Sequence, residues 1–153
     1  MSVKEKISFL GLSLPTAAAP VAAYVPAVKS GNLVFTAGQL PVVDGKLVKE
    51  GKVGRDVTAE EAKGLAQRCA LNALAAISLV TDLDQIERVV RVGGFVNCAP
   101  GFTAIPGVIN GASEFLIKIF GDVNGKHART AVGVAELPLN APVEVEVIVQ
   151  LKN

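Results

Sequence analysis

A few polar side chains at the ends of predicted strands could carry chemistry in this 153-residue chain. Arg129 begins a strand whose following residues are small and apolar, and a guanidinium there matches a carboxylate through two parallel hydrogen bonds. The alternative for this residue is an ordinary arginine at a strand end. Glu144 and Glu146 lie two residues apart on the polar face of the last strand, either as a solvated face or, for Glu144, as part of a site. These residue types favour recognition of a small organic acid.

Tyr24 and His127 each occur as the single residue of their type. The Tyr24 hydroxyl could hold a substrate or a water molecule, and the alternative is amphipathic packing on an edge strand. His127 lies in a loop two residues before Arg129, where it is either solvated or a general base that needs an orienting partner. One histidine and no nucleophile elbow leave no Ser-His-Asp constellation, so covalent hydrolytic catalysis is disfavoured.

Composition argues against several classes of partner. A net charge of +1, no Trp and one Tyr offer neither the positive field nor the stacked aromatic rings of nucleic-acid binders. One His and two cysteines, Cys69 and Cys98, cannot build a usual zinc site, and no motif indicates a metal or a nucleotide cofactor. We expect both cysteines to be free thiols and the protein to be cytoplasmic, since neither a membrane-spanning run nor a signal-peptide pattern is present.

Hydrophobic periodicity predicts one α+β domain over residues 1–153 in the order β-β-α-β-α-β-β. Thr58 and Glu61 form a capping box, so the first helix begins there and its apolar stripe continues to Val80. Pro106 begins a second helix, which ends before Gly121 as a left-handed cap. The predicted strands cover residues 23–29, 33–37, 86–97, 129–136 and 143–151. This order predicts a mixed sheet with two helices packed on one face.

The remaining segments add two expectations. Residues 42–56 contain the turn signal Asp44-Gly45 and are expected to form a loop or a small β excursion. Ala131, Gly133 and Ala135 are small, so we expect another layer to approach the second face of the sheet. A closed homo-oligomer is the economical way to bury that face.

Motifs along most of the chain, from Ala23 to Leu151, suggest a relationship to a known family. They are Tyr24 ahead of a strand, the run Asn32–Pro41, Val108-Ile109-Asn110, and above all Ala128-Arg129-Thr130-Ala131-Val132 followed by Leu137-Pro138 and Val143-Glu144-Val145-Glu146. With these motifs the chain resembles the YjgF/Rid family of reactive intermediate (enamine/imine) deaminases, also called L-PSP endoribonucleases or translation inhibitors. The resemblance implies a chorismate-mutase-like α+β fold, a homotrimer with three clefts between subunits, and hydrolysis of 2-imino acids to 2-oxo acids and ammonia.

The resemblance also implies a role for individual residues. Arg129 would bind the substrate carboxylate, and Glu144 would orient or activate the attacking water. The substrate pocket would be lined by Tyr24, Ala37, Gly38, Asn110, Thr130 and Ala131.

The sequence departs from the family pattern at several places. The family's common cysteine two positions after the arginine is Ala131 here, so thiol chemistry at that position is impossible. A glutamate often found two positions further on is Gly133. Loops 42–56 and 98–106 look longer than in compact members, which indicates a divergent subgroup.

Few groups suffice for the implied reaction, because a 2-imino acid is already electrophilic and needs only a held carboxylate and an oriented water. If the last two strands pair antiparallel, Glu144 lies level with Ala135, about 20 Å from Arg129 at ~3.3 Å per residue. Both residues then share a site only across subunits or with offset strands, so we expect an intersubunit cleft. A ribonuclease and a non-catalytic small-acid binding or regulatory protein remain the alternatives.

Overall fold

A five-stranded mixed sheet is the main element of the computed structural model, which describes residues 1–17 and 22–153. In chain order its strands are β1 Ala27–Ser30, β2 Leu33–Thr36, β5 Ile86–Asn97, β6 Ala128–Val134 and β7 Val143–Leu151. A separate hairpin pairs β3 Val42–Val43 with β4 Lys46–Leu47 across the Asp44-Gly45 turn. The predicted α+β class with a mixed sheet is confirmed, as are the bounds of β5 and β7 and the β excursion after residue 42.

The strand order across the sheet is β1-β2-β7-β5-β6, so β6 and β7 flank β5 and do not pair with each other. The assumption that the last two strands pair antiparallel is therefore wrong. β6 is parallel to β5, because a helix joins these strands and a helical crossover returns the chain in the same direction. β7 then runs antiparallel to β5 on its other side. Residues 135–142 carry the chain between the two sides of β5.

The described part of the chain contains three α-helices, which are α1 Val3–Phe9, α2 Ala59–Ile77 and α3 Ile105–Asn124. Thr58 caps α2 through the predicted capping box with Glu61, but the helix ends at Ile77 and Val80 lies beyond it. α3 begins one residue before Pro106, and its regular part ends at Gly121, whose φ of 84° is the predicted left-handed conformation. No helix within residues 1–17 and 22–153 has the length and apolar character needed to cross a membrane.

Helix α1 was not predicted, although its sequence carries a start signal. Ser2 accepts a hydrogen bond from the Glu5 N–H, and the Glu5 carboxylate accepts one from the Ser2 N–H, which is a second capping box. Ile7 is fully buried, and Lys6 Nζ donates to the Ile119 carbonyl of α3 at 3.0 Å. The tertiary contacts, rather than helix propensity, therefore stabilise this two-turn helix.

The core lies between one face of the sheet and helices α2 and α3. The predicted alternation along β7 is confirmed, because its four valines point into this core. The intervening side chains point to the opposite face of the sheet, which we call the open face. Apolar side chains on this open face include those of Val28, Phe35, Phe95, Val132 and Ile148. The open face is thus a partly apolar surface, and none of the helices or strands in the described residues covers it.

The small residues of β6 do not face that surface, so their assignment to the second face is wrong. A Cβ added to Gly133 would lie 2.9 Å from Cys98 Sγ and 3.0 Å from Ile105 Cδ1, which belong to the helix side. Ala131 packs at the margin of the helix-side core. Glycine and alanine at these positions therefore allow the chain around α3 to pack closely on β6.

Candidate functional site

The Arg129 guanidinium lies on the helix side of β6, which is one of the two edge strands of the sheet. Its Nη1 donates hydrogen bonds to Asn110 Oδ1 at 2.8 Å and to Ser113 Oγ at 3.3 Å, both on α3. Arg129 is half-buried, and within residues 1–17 and 22–153 no carboxylate forms an ion pair with it. Because neutral groups hold the cation, its charge is not compensated and is available to an anion.

Helix α3 places Asn110 and Ser113 where they meet Arg129. The two residues are three apart, so they lie on the same face of the helix. Val108 and Ile109 beside them are fully buried and anchor this turn to the sheet. A Cβ on Gly94 would lie 2.6 Å from three carbons of the Ile109 side chain, so only glycine lets α3 lie this close to β5.

His127 is hydrogen-bonded through both ring nitrogens. Its Nε2 lies 2.9 Å from Ser113 Oγ, and its Nδ1 lies 2.6 Å from the Gly125 carbonyl oxygen. Burial lowers the pKa of His127 below its ordinary 6.5; the Gly125 carbonyl opposes this shift, and the Arg129 cation adds to it. The imidazole is therefore neutral at pH 7, and it is joined to Arg129 through one hydroxyl group.

Glu144 lies half-buried on β7, close to the chain at Gly38. A Cβ added to Gly38 would lie 2.8 Å from Glu144 Cδ and would collide with its carboxylate, so glycine at this position makes room for the acid. Burial raises the pKa of Glu144 above its ordinary 4.5, and the charge of Glu146 raises it further. A carboxylate with a raised pKa is a stronger base than a solvated one.

Arg129 and Glu144 of one chain point to opposite faces of the sheet. Arg129 is level with Val92 of β5, and Glu144 is level with Phe95, three residues further along that strand. With ~3.3 Å per residue and ~4.8 Å between strands, their Cα atoms are about 14 Å apart, rather than the 20 Å expected from antiparallel pairing. The sheet itself separates the two side chains. One protomer therefore does not bring the two proposed catalytic groups together.

The other predicted pocket residues divide between the two sides. Asn110 and Ala131 lie on the helix side with Arg129. Thr130 points to the open face, where its hydroxyl accepts a hydrogen bond from Arg91 Nη2 at 3.0 Å.

Ala37 and Gly38 follow β2 near Glu144, and the Ala37 N–H donates to the Pro26 carbonyl at 2.8 Å. Tyr24 is 57% exposed. It precedes β1, which begins at Ala27 rather than at Ala23 as predicted. A hydrogen bond from Ala37 to Pro26 thus holds the loop that carries Tyr24 against the segment that contacts Glu144.

Sequence reasoning missed Ser113 and the connection it makes. Its signal was its spacing of three residues after Asn110 in a predicted helix, which places both on one face. The pairing of that face with Arg129 depends on the crossover from β5 to β6, and residue spacing alone does not show it. The sequence also indicated no hydrogen-bond partner for His127, and the structure places Ser113 Oγ and the Gly125 carbonyl at its two ring nitrogens.

Both cysteines are free, as predicted. Burial raises the pKa of the Cys69 thiol well above its ordinary value, and burial also raises the pKa of the Cys98 thiol. A thiol with a raised pKa is a poor nucleophile at neutral pH. Neither thiol is therefore a favourable nucleophile at neutral pH.

Comparison with known proteins places this geometry in a family. The sequence matches the family described as "YjgF/chorismate_mutase-like, putative endoribonuclease" over residues 4–151. It is 42% identical over 152 residues to Protein TCP17 of Trypanosoma cruzi, covering 99% of this chain and 95% of that protein. It is 33% identical to a 2-iminobutanoate/2-iminopropanoate deaminase of Dermatophagoides farinae, covering 92% and 95% of the two chains.

One solved structure is similar to this chain in both fold and sequence. The protein Atu1372 of Agrobacterium tumefaciens, described as of unknown function, superposes with a TM-score of 0.88 at 43% identity. The superposition covers 98% of this chain and 92% of that one.

Proposed function

The chain belongs to the YjgF/chorismate mutase-like family, and we propose that it hydrolyses reactive 2-imino acids to 2-oxo acids and ammonia. The observation that carries the proposal is the half-buried Arg129 guanidinium, which is held by neutral Asn110 and Ser113. Such a group is suited to the carboxylate that substrate and product share. The name of the relative from Dermatophagoides farinae refers to this reaction and supports the same activity here.

In this proposal Arg129 binds the substrate carboxylate and aligns the imine for attack by water. Nη1 is engaged by α3, which restricts rotation of the guanidinium and leaves Nη2 and Nε for two hydrogen bonds to a carboxylate. A carboxylate fixed in this way orients the neighbouring C=N bond, because C2 is directly attached to the carboxylate carbon. Alignment of a reactive imine with a water molecule is a large part of the rate acceleration that this reaction needs.

Glu144 activates the water in this scheme. The carboxylate takes a proton from the water molecule while the water oxygen forms a bond to C2 of the protonated imine. The C=N π electrons pass to the nitrogen. Glu144 then returns the proton to nitrogen and accepts the hydroxyl proton as the C–N bond breaks and C=O forms. Ammonia leaves and takes up that proton, so the carboxylate is regenerated. The raised pKa of Glu144 favours the first proton transfer.

The site is completed by two copies of the chain, with Arg129 from one and Glu144 from its neighbour. Two observations support this arrangement: the two side chains lie on opposite faces of one sheet, and the open face presents apolar Phe35 and Val132, which are 40% and 39% exposed. A homotrimer would bury that face and create three such clefts by rotational symmetry.

The proposal is tested by release of ammonia and 2-oxo acid from a 2-imino acid generated enzymatically in the assay. Wild type should accelerate release, and Arg129→Gln should lower kcat/KM at least ~100-fold, as expected from loss of two charge-assisted hydrogen bonds. Arg55→Gln, which changes an exposed arginine paired with the neighbouring Asp56, is the matched control and should leave kcat/KM unchanged. Equal turnover by wild type and Arg129→Gln would remove the arginine from the mechanism.

Ala131 favours a second candidate, a small-acid binding protein without catalysis, because the family's usual thiol is absent there. In that case the protein would bind a 2-oxo acid through Arg129 but leave the imine half-life unchanged. A ribonuclease activity would instead require RNA affinity that falls steeply with salt, which the net charge of +1 does not favour.

A further inference from the structure

Ser113 and His127 connect the Arg129 guanidinium to a second ionisable group. The connection runs from Arg129 Nη1 to Ser113 Oγ at 3.3 Å, and from that oxygen to His127 Nε2 at 2.9 Å. It continues from His127 Nδ1 to the Gly125 carbonyl at 2.6 Å. His127 is the only histidine in the chain. We refer to these four residues as the relay.

The directions of the hydrogen bonds in the relay follow from its ends. A carbonyl oxygen only accepts, so His127 Nδ1 carries a hydrogen and donates to Gly125. In the neutral imidazole Nε2 then has no hydrogen and accepts the Ser113 hydroxyl proton. The lone pairs of Ser113 Oγ stay free for the guanidinium, which only donates. Every hydrogen bond in the relay is therefore satisfied in one arrangement.

Protonation of His127 does not release the arginine. Imidazolium Nε2 would donate to Ser113 Oγ, and a hydroxyl oxygen has two lone pairs, one for His127 and one for Arg129. Only the hydroxyl hydrogen has to turn away. Protonation of His127 therefore affects Arg129 mainly through charge repulsion, because two cations then flank the Ser113 oxygen atom.

We propose that Ser113 and His127 position Arg129 for the substrate carboxylate, and that carboxylate binding and protonation of His127 favour each other. The identity of that carboxylate, but not the coupling, rests on the proposed function. Ser113 and His127 are positioning residues, since both act through the guanidinium. Neither has a role assigned by the family resemblance.

The sign of the coupling follows from the charges around His127. Arg129 follows two residues later on β6, and Arg88 and Lys126 line a surface groove of about 480 Å³ that His127 shares. α3 contributes the Ser113 hydroxyl as its hydrogen-bond partner, and the Gly125 carbonyl, which follows that helix, accepts from the other ring nitrogen. Within residues 1–17 and 22–153 the charged groups that line the groove or the relay are Arg88, Lys126 and Arg129, and the groove residue Gln150 donates a hydrogen bond to Glu87 at 3.0 Å. A carboxylate bound to Arg129 offsets the charge that disfavours the imidazolium, and so it raises the pKa of His127. By linkage, carboxylate affinity must rise as pH falls through that pKa.

A single histidine makes the coupling directly measurable by long-range ¹H–¹⁵N NMR. We expect one imidazole with the hydrogen on Nδ1 at neutral pH, and a titration midpoint that rises when pyruvate, the product of 2-iminopropanoate hydrolysis, is added. Methyl pyruvate, which lacks the charge, should not move the midpoint, and Arg129→Gln should abolish the response to pyruvate. A hydrogen on Nε2, or a midpoint that pyruvate leaves unchanged, overturns the inference whether or not wild type hydrolyses the imine.

Variants of the relay separate positioning from simple packing. Ser113→Ala should raise KM about tenfold with kcat within twofold, because the lost hydrogen bond to a charged group orients the carboxylate-binding group. Ser113→Thr keeps the hydroxyl and is the matched control. His127→Phe should also raise KM, whereas His127→Gln keeps an acceptor for Ser113 and should recover most of the loss. An unchanged KM in Ser113→Ala and His127→Phe, in proteins that fold as wild type, would overturn the positioning role.

Discussion

Gly38→Ala tests the position of the Glu144 carboxylate without removing any charge. The added Cβ would lie 2.8 Å from Glu144 Cδ and 3.1 Å from Cγ, which is too close for either atom to stay in place. Gly38 does not need a positive φ, so alanine fits the backbone there. Loss of backbone freedom in the unfolded chain favours the variant by about 0.4–1 kcal/mol, and a side chain forced off its rotamer costs a similar ~0.5–1.5 kcal/mol. The free energy of unfolding should therefore change by less than about 1 kcal/mol.

Activity should change much more than stability. A misplaced carboxylate no longer orients the water, and general-base contributions of this kind amount to about 10²–10⁴-fold. We expect kcat for ammonia release to fall at least ~10-fold in Gly38→Ala and further in Glu144→Gln. Urea unfolding gives the free energy of unfolding for each variant. The double variant should be no slower than Glu144→Gln, because both changes act on one carboxylate.

Two results would refute this reasoning. An unchanged kcat in Gly38→Ala would show that Glu144 moves without consequence. Multiplicative effects in the double variant would show that Gly38 acts independently of the carboxylate.

Three further substitutions have defined outcomes. Gly94→Ala should lower the free energy of unfolding by about 1–3 kcal/mol in urea titrations, because the new Cβ would lie 2.6 Å from Ile109 and force α3 outward. Gly64→Ala, in the middle of α2 with open space around it, should raise the free energy of unfolding by about 0.5–1 kcal/mol in the same titration. Glu146→Gln removes a negative neighbour that raises the pKa of Glu144, so the acid limb of the kcat/KM profile should move to lower pH, and an unmoved limb would contradict the assignment of Glu144 as base.

Local signals predicted much of the fold. The Thr58 capping box predicted the start of α2, and strict alternation predicted β7 with both of its faces. These signals succeed because a cap and a half-buried strand are determined by residues within one turn or a few positions. The capping box at Ser2 was not enough to predict α1, because a seven-residue helix depends on distant partners such as Ile119.

The main error in the sequence-based prediction was which strands lie next to each other in the sheet. The geometry of the candidate site depends on that order. Pairing β6 with β7 treated consecutive strands as a hairpin, whereas the α3 crossover places β6 parallel to β5. This error gave the wrong distance between Arg129 and Glu144, and it concealed Ser113, whose contact with Arg129 follows from the crossover. The types of the site residues could be inferred from sequence, but the face that each one occupies is a property of the assembled sheet.

A site shared by Arg129 of one protomer and Glu144 of its neighbour predicts a specific activity for mixed oligomers. Arg129→Gln and Glu144→Gln should each be inactive alone. If equal amounts are unfolded together and refolded into the proposed homotrimers, about a quarter of the clefts should combine an intact Arg129 with an intact Glu144. The mixture should therefore hydrolyse the imine at about a quarter of the wild-type rate. A mixture as inactive as its two parents would contradict it.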